Sequence, residues 1–149
     1  MEITKLPHAI LGNKTRDIPV QDIKDGKYAE LILDMKKAMK ANNGVGLAAN
    51  QIGIDLSLFV IDSKLANEHN VPDAYFNSEI TEYSTERDEL EEGCLSIPDY
   101  YIPVLRAKKI KLKAIDENGN KIKFKARGFL ARVLQHETDH LNGLTIKDK

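Results

Sequence analysis

His136-Glu137-Thr138-Asp139-His140 sets two imidazoles four residues apart near the end of the chain, with a carboxylate beside the first. On a helix that spacing puts both rings on one face, about 5–6 Å apart at Cβ, where both can reach one metal ion. Glu137 is close enough to act on a metal-activated water, an arrangement suited to hydrolysis. A hydrolytic zinc-like site needs three protein ligands and one open position. Only nine residues follow His140, with Asp148 the sole candidate among them, so the third ligand is expected from upstream. Cys94 is the natural choice because a thiolate is a soft, strong ligand, and Gly93 beside it lets backbone approach closely. His8 and His69 are weaker candidates, each in a segment without other motif character.

These groups need rigid elements behind them. Phe129, Leu130, Val133, Leu134 and Leu141 recur at helical spacing, which predicts a core-facing helix around the two histidines, ended by Gly143. The competing reading is two exposed histidines on a charged helix. Upstream, Tyr28, Leu31, Ile32, Met35 and Met39 predict an amphipathic helix from about Asp22 to Ala41, closed by Asn42-Asn43-Gly44. The first 19 residues, punctuated by Pro7, Gly12 and Pro19, read as irregular. Leu56–Asp62 reads as a buried strand, and Tyr75–Asn77 and Ile80–Tyr83 as further short strands.

Charge is segregated along the second half. Glu79 to Glu92 holds seven carboxylates against one Arg and reads as a solvated connection. Arg106 to Arg127 holds nine basic residues against two acidic ones. There Lys109, Lys111 and Lys113 alternate with Ile110, Leu112 and Ala114, and Lys121, Lys123 and Lys125 with Ile122, Phe124 and Ala126. Period two predicts two strands with lysine on one face, joined at Asn118-Gly119 as a hairpin. The lysine face is a candidate surface for ribosomal RNA, against the plainer reading of a solvated sheet face. Helix, several strands and helix make an α+β domain.

Composition bounds the class. At 149 residues the chain is expected to form one domain, residues 1–149, large enough to bury about 68–70% of its unfolded surface. A single cysteine excludes a disulfide framework and favours a reducing compartment. The net charge of -1 argues against a strongly basic DNA binder, and the lack of any apolar run near 18 residues argues against a membrane span. The start lacks the order of a signal peptide, so a cytoplasmic location is expected.

Three segments together resemble the signature segments of the peptide deformylase family, in the family's order: Gly44-Val45-Gly46-Leu47-Ala48-Ala49-Asn50-Gln51, Glu92-Gly93-Cys94-Leu95-Ser96 and Gln135-His136-Glu137-Thr138-Asp139-His140. The resemblance covers nearly the whole chain. It implies an α+β fold in which antiparallel sheets pack around the metal-binding helix, and removal of the formyl group from nascent polypeptides beginning with N-formylmethionine. It implies Cys94, His136 and His140 as metal ligands, with ferrous iron the ion in the cell and zinc, nickel or cobalt able to replace it. A metal so held lowers the pKa of its water and supplies the hydroxide that attacks the formyl carbon, with Glu137 as general base and then acid. The Gln51 amide and the Leu95 backbone N–H would stabilise the oxyanion, and Gly46 would hydrogen-bond the substrate main chain. Val45, Leu90, Phe129 and Val133 match the family's pocket for the methionine side chain.

Many bacterial relatives continue into a further C-terminal helix, for which Gly143–Lys149 leaves no room, so any ribosome docking through that tail is in doubt. Arg132 stands one turn before His136, where many relatives keep an apolar residue; the sequence leaves open whether it shapes the pocket or lies outside it. Other metal-dependent amidases, metallopeptidases among them, remain as alternatives. Two further rivals are a cysteine hydrolase with Cys94 as nucleophile and His136 as its base, and a binding module with a structural metal.

Overall fold

A computed structural model describes all 149 residues. Four helices, α1 (Val20–Lys24), α2 (Ala29–Ala41), α3 (Ser63–Glu68) and α4 (Gly128–Leu141), accompany seven antiparallel strands. The strands are β1 (Gly46–Ala48), β2 (Leu58–Ile61), β3 (Ala74–Tyr83), β4 (Arg87–Cys94), β5 (Ile97–Ala107), β6 (Lys109–Ile115) and β7 (Lys121–Arg127). Five form one sheet in the order β1-β2-β3-β6-β7, while β4 and β5 form a separate two-stranded ribbon. The class is α+β, as expected.

Alternation along β2 and β3 explains the layering. Phe59 and Tyr75 point to one side of the sheet and meet Leu130 and Leu134 of α4. Leu58, Val60 and Phe76 point to the other and meet Ile32, Met35 and Met39 of α2. A strand buried on both faces reads as a continuous apolar run. Each fully buried side chain of this size contributes about 1.5–3 kcal/mol relative to exposure. The cost of losing Phe59 or Tyr75 is therefore felt at α4, the helix that carries both histidines.

Several expectations need correction. The helix predicted over 22–41 is two helices, broken at Gly26, whose φ of +72° is a left-handed backbone that a helix does not continue through. Its apolar period survives the break because Ile23 and Ile32 both stay buried. The acidic stretch is not a connection: Glu79 to Tyr83 completes β3 and Arg87 to Cys94 is β4. Its carboxylates can lie in strands because cations of β5, β6 and α4 face them, as in the pairs Lys113–Glu79, Lys111–Glu82 and Arg132–Asp88. The two short strands predicted after Pro72 are one strand, bulged at Asn77, whose φ is +53°. Helix α3, capped by Asp62 through the Leu65 N–H, was not foreseen. The lysine hairpin and the last helix stand where predicted, and Gly143 follows α4 with φ +75°. No helix is long and apolar enough to cross a membrane.

Candidate metal centre

The helix α4 presents His136 and His140 one turn apart, with their rings edge to face and their Nε2 atoms 3.2 Å from each other. Cys94 arrives from β4 at the point where the ribbon's register slips, Gly93 facing Tyr101 and Cys94 facing Ile97. Its Sγ lies 3.4 Å from His140 Nε2. The three donor atoms all lie within 4.8 Å of one another. A tetrahedron with metal–donor bonds of about 2.0–2.3 Å has edges of about 3.3–3.8 Å, so the spacing and the thiolate-plus-imidazole chemistry fit a divalent transition metal. The other candidates do not converge here. His8 Nδ1 accepts the Ile10 N–H, His69 ends α3 in solvent, and Asp148 accepts the Thr145 N–H.

A buried ion network sets the orientation of His136. Glu92 lies two residues before Cys94, on the same side of β4. Arg106 Nε and Nη2 each donate to Glu92 at 2.9 Å, Arg132 donates to it as well, and His136 Nδ1 lies 3.0 Å from Glu92 Oε1. Donation from Nδ1 to this carboxylate leaves the Nε2 lone pair facing Cys94 and His140. Burial alone would raise the Glu92 pKa, but Arg106 and His136 hold the carboxyl well below the usual carboxylate range. Arg106 also binds Asp139 on α4. Arg132 continues to the Val104 carbonyl at 3.0 Å and to the Asp88 carbonyl and carboxylate. This answers the question left by the sequence: Arg132 borders the cleft, but its guanidinium is buried in the network that joins α4 to the ribbon.

Burial and neighbouring charges move the two rings in opposite directions. Burial pulls His136 down, yet Cys94, Glu92 and Glu137 overrule it and push the imidazole up to about 10. Burial, with His136 and Arg106 nearby, drives His140 well below its ordinary value. Burial also pushes the Glu137 carboxyl up to about 7, against the opposing pull of His136 and Arg106.

Glu137 Oε2 lies 4.0 Å from His136 Nε2, and Oε1 is buried with no hydrogen-bond partner in the chain. Gln51 is fixed by its own backbone turn. Its Oε1 accepts the Ala48 N–H at 2.9 Å, which leaves Nε2 aimed at Ser96 Oγ and at Cys94 Sγ, 3.2 and 3.5 Å away. Leu95 occupies the turn between β4 and β5, with its side chain against the α2 side of the core. Gly46 has a role beyond loop geometry, because a Cβ there would meet the Glu137 carboxylate at 2.6 Å.

Gly46, Gln51, Glu92, Cys94, Leu95, His136 and Glu137 line one cleft of about 870 Å³, with His140 buried beneath it. The structure also brings Val45, Leu90, Phe129 and Val133 to that cleft, three of them largely exposed and Val133 buried. Sequence reasoning missed Arg106, Asp139 and the buried position of Glu92. The available signal was the two-residue step from Glu92 to Cys94, which puts both on one strand face once β4 is recognised as a strand.

The sequence profile of the polypeptide deformylase family matches residues 1–149. A peptide deformylase from Prochlorococcus marinus (strain MIT 9312) is 44% identical over 149 residues, covering 100% of this chain and 73% of that protein. Peptide deformylase 1 of Clostridium perfringens is 48% identical over 139 residues, covering 93% and 90%. The crystal structure of peptide deformylase from Thermotoga maritima superposes with a TM-score of 0.89 at 35% identity, covering 99% of this chain and 95% of that one. With fold, converging donors and full-length similarity in agreement, the chain belongs to the polypeptide deformylase family.

Proposed function

We propose that this chain hydrolyses the formyl amide of nascent polypeptides beginning with N-formylmethionine, releasing formate, with Cys94, His136 and His140 holding one divalent metal ion. The observation that carries the reading is the convergence of those three donors beside a buried carboxylate oxygen of Glu137 that no group of the chain satisfies. Ferrous iron is the proposed ion in the cell, and zinc, nickel and cobalt suit the same donors. When bound, the metal supplies Lewis acidity that makes water a nucleophile near neutral pH and polarises a carbonyl oxygen.

The remaining work falls to side chains. Glu137 takes the water's proton and returns it to the departing amine. Gln51 Nε2, held by the Ala48 N–H at the other end of its amide, and the Leu95 N–H donate to the developing oxyanion. The substrate main chain pairs with Gly46 as an added strand, and its methionine side chain lies among Val45, Leu90, Phe129 and Val133. Glu92 keeps His136 in the tautomer that offers Nε2. The reading extends to a cytoplasmic protein in weak association with the ribosome, where its substrates emerge.

Formate release from a formyl-Met peptide, compared with turnover of the acetylated analogue, tests this reading. Rapid release from the first and little or none from the second is expected. Equal turnover of both, or of neither, would contradict it.

A further inference from the structure

The helix α2 packs against β1 and β2 and leaves the far part of the sheet uncovered on its side. There β6 and β7 turn an outward face that carries seven cations and, at its far end, the buried Ile115. Cross-strand register sets Lys109 opposite Arg127, Lys111 opposite Lys125 and Lys113 opposite Lys123, with Lys121 opposite Ile115. Directly opposed side chains lie about 4.5–5.5 Å apart at Cβ, where like charges are destabilising. Along each strand the same face recurs about every 6.8 Å. Glu82 and Glu79 of β3 neutralise Lys111 and Lys113, at 3.0 and 3.3 Å. Lys109, Lys121, Lys123, Lys125 and Arg127 make no ion pair within the chain.

This concentration is not a by-product of an overall basic chain, since the net charge is -1. Nor does edge protection account for it. Lysines on β7, the edge strand, would deter edge-to-edge pairing, but that needs no second column of lysines on β6. A second feature lies where β6 and β7 approach α4, a cavity of about 550 Å³ lined by Lys109, Lys111, Lys125 and Arg127, with Glu82, already paired to Lys111, its one carboxylate. Four cations against one carboxylate leave the concavity positive on balance, and such a concavity focuses field and gathers counter-ions of the opposite sign.

We propose that the outward face of β6 and β7 docks the phosphate backbone of RNA. Ile122, Phe124 and Ala126 point to the α4 side of the sheet and Ile115 is buried, so the face has no exposed apolar group to insert into a lipid surface. The choice of RNA among polyanions rests on the deformylase reading, which sets the chain to work where new polypeptides emerge beside RNA. Binding is to phosphates, without base readout, and strongly salt-dependent. The end of β7 leads through Gly128 to Phe129 in the catalytic cleft, so RNA on this face lies beside the cleft without entering it.

Fluorescence anisotropy with a labelled 20-nucleotide oligouridylate, titrated from 25 to 200 mM KCl, is the test. Five unpaired cations give an expected slope of log affinity on log salt near about -3.5, at about -0.7 per single-strand phosphate. Lys121→Gln/Lys123→Gln/Lys125→Gln should reduce that slope by about two and weaken binding at 50 mM salt by about tenfold or more. Lys14→Gln/Lys37→Gln/Lys40→Gln changes net charge equally at exposed positions elsewhere and should leave binding within about twofold of the parent. Thermal unfolding of the hairpin variant should occur no lower than in the parent, since opposed charges are removed. Formate release from a free formyl-Met peptide should match in all three proteins. No binding by the parent at 25 mM KCl, equal weakening in both variants, or an unchanged slope in the hairpin variant would overturn the proposal. RNA binding of the expected kind by a protein that releases no formate would overturn the catalytic reading instead.

Discussion

A methyl group added at Gly46 would lie 2.6 Å from Oε2 of Glu137 and 2.9 Å from its Cγ, so the carboxylate rests directly on the backbone of β1. Ordinary carbon contacts fall at about 3.5–4.0 Å. Glu137 is 3% exposed, so an added methyl group would have to push its carboxylate toward the cleft. Gly46→Ala should displace the carboxylate, and misplacement by about 1 Å can cost about a hundredfold in rate. Metal content should stay at one ion per chain, because no donor atom moves. Steady-state formate release together with metal analysis checks this; an undiminished rate would show that the close approach does not position Glu137.

Glu92→Gln keeps the shape of the side chain but leaves Arg106 and Arg132 with one fewer carboxylate and His136 Nδ1 with a weaker partner. Loss of such support for a metal-binding histidine typically costs about 10–100-fold in affinity. Breaking a buried charge pair costs about 3–5 kcal/mol. At about 2–4 °C per kcal/mol for a chain of this size, the midpoint of thermal unfolding should fall by about 6–20 °C. Chelator competition and thermal unfolding measure the two effects separately.

Arg132→Met spares the Arg106–Glu92 pair but removes the donors to Val104 and Asp88. Leu90 lies between Asp88 and Glu92 on β4, so the strand that walls the cleft loses its tie to α4 at Asp88 and keeps only the Glu92–His136 contact. KM for a formyl-Met peptide should rise several-fold while kcat changes less. Equal loss in both parameters would instead indicate damage at the reacting groups.

Gln51→Ala removes the amide aimed at Cys94 and Ser96. Loss of one oxyanion donor typically lowers kcat by about 10²–10³-fold, or about 2.7–4 kcal/mol of barrier. Metal affinity should change little, because the three converging donors are untouched. Stopped-assay kinetics on protein of verified metal content decide the matter.

The parts of the site carried by one element were legible in advance. His136, Glu137 and His140 follow from helical spacing alone, and the lysine hairpin follows from a clean period of two. What depended on register between strands was not. Glu92 stood within a run of carboxylates that resembled a solvated connection, and its burial arises only when β4 pairs with β5, setting Arg106 opposite Asp88 and Glu92 opposite Ile102, and α4 brings Arg132 and His136 onto the same carboxylate. The break in the first predicted helix failed to show for a related reason. Apolar spacing continues across Gly26, so the periodic signal ran unbroken through a point where the backbone turns left-handed.

One anaerobic titration tests most directly whether Cys94, His136 and His140 form a catalytic metal site. Protein stripped by chelator and titrated with ferrous iron should regain formate release in proportion to bound metal, up to one ion per chain. Cys94→Ala protein should show neither that stoichiometry nor that recovery. Full turnover by the stripped protein would contradict the metal site and favour Cys94 as a nucleophile.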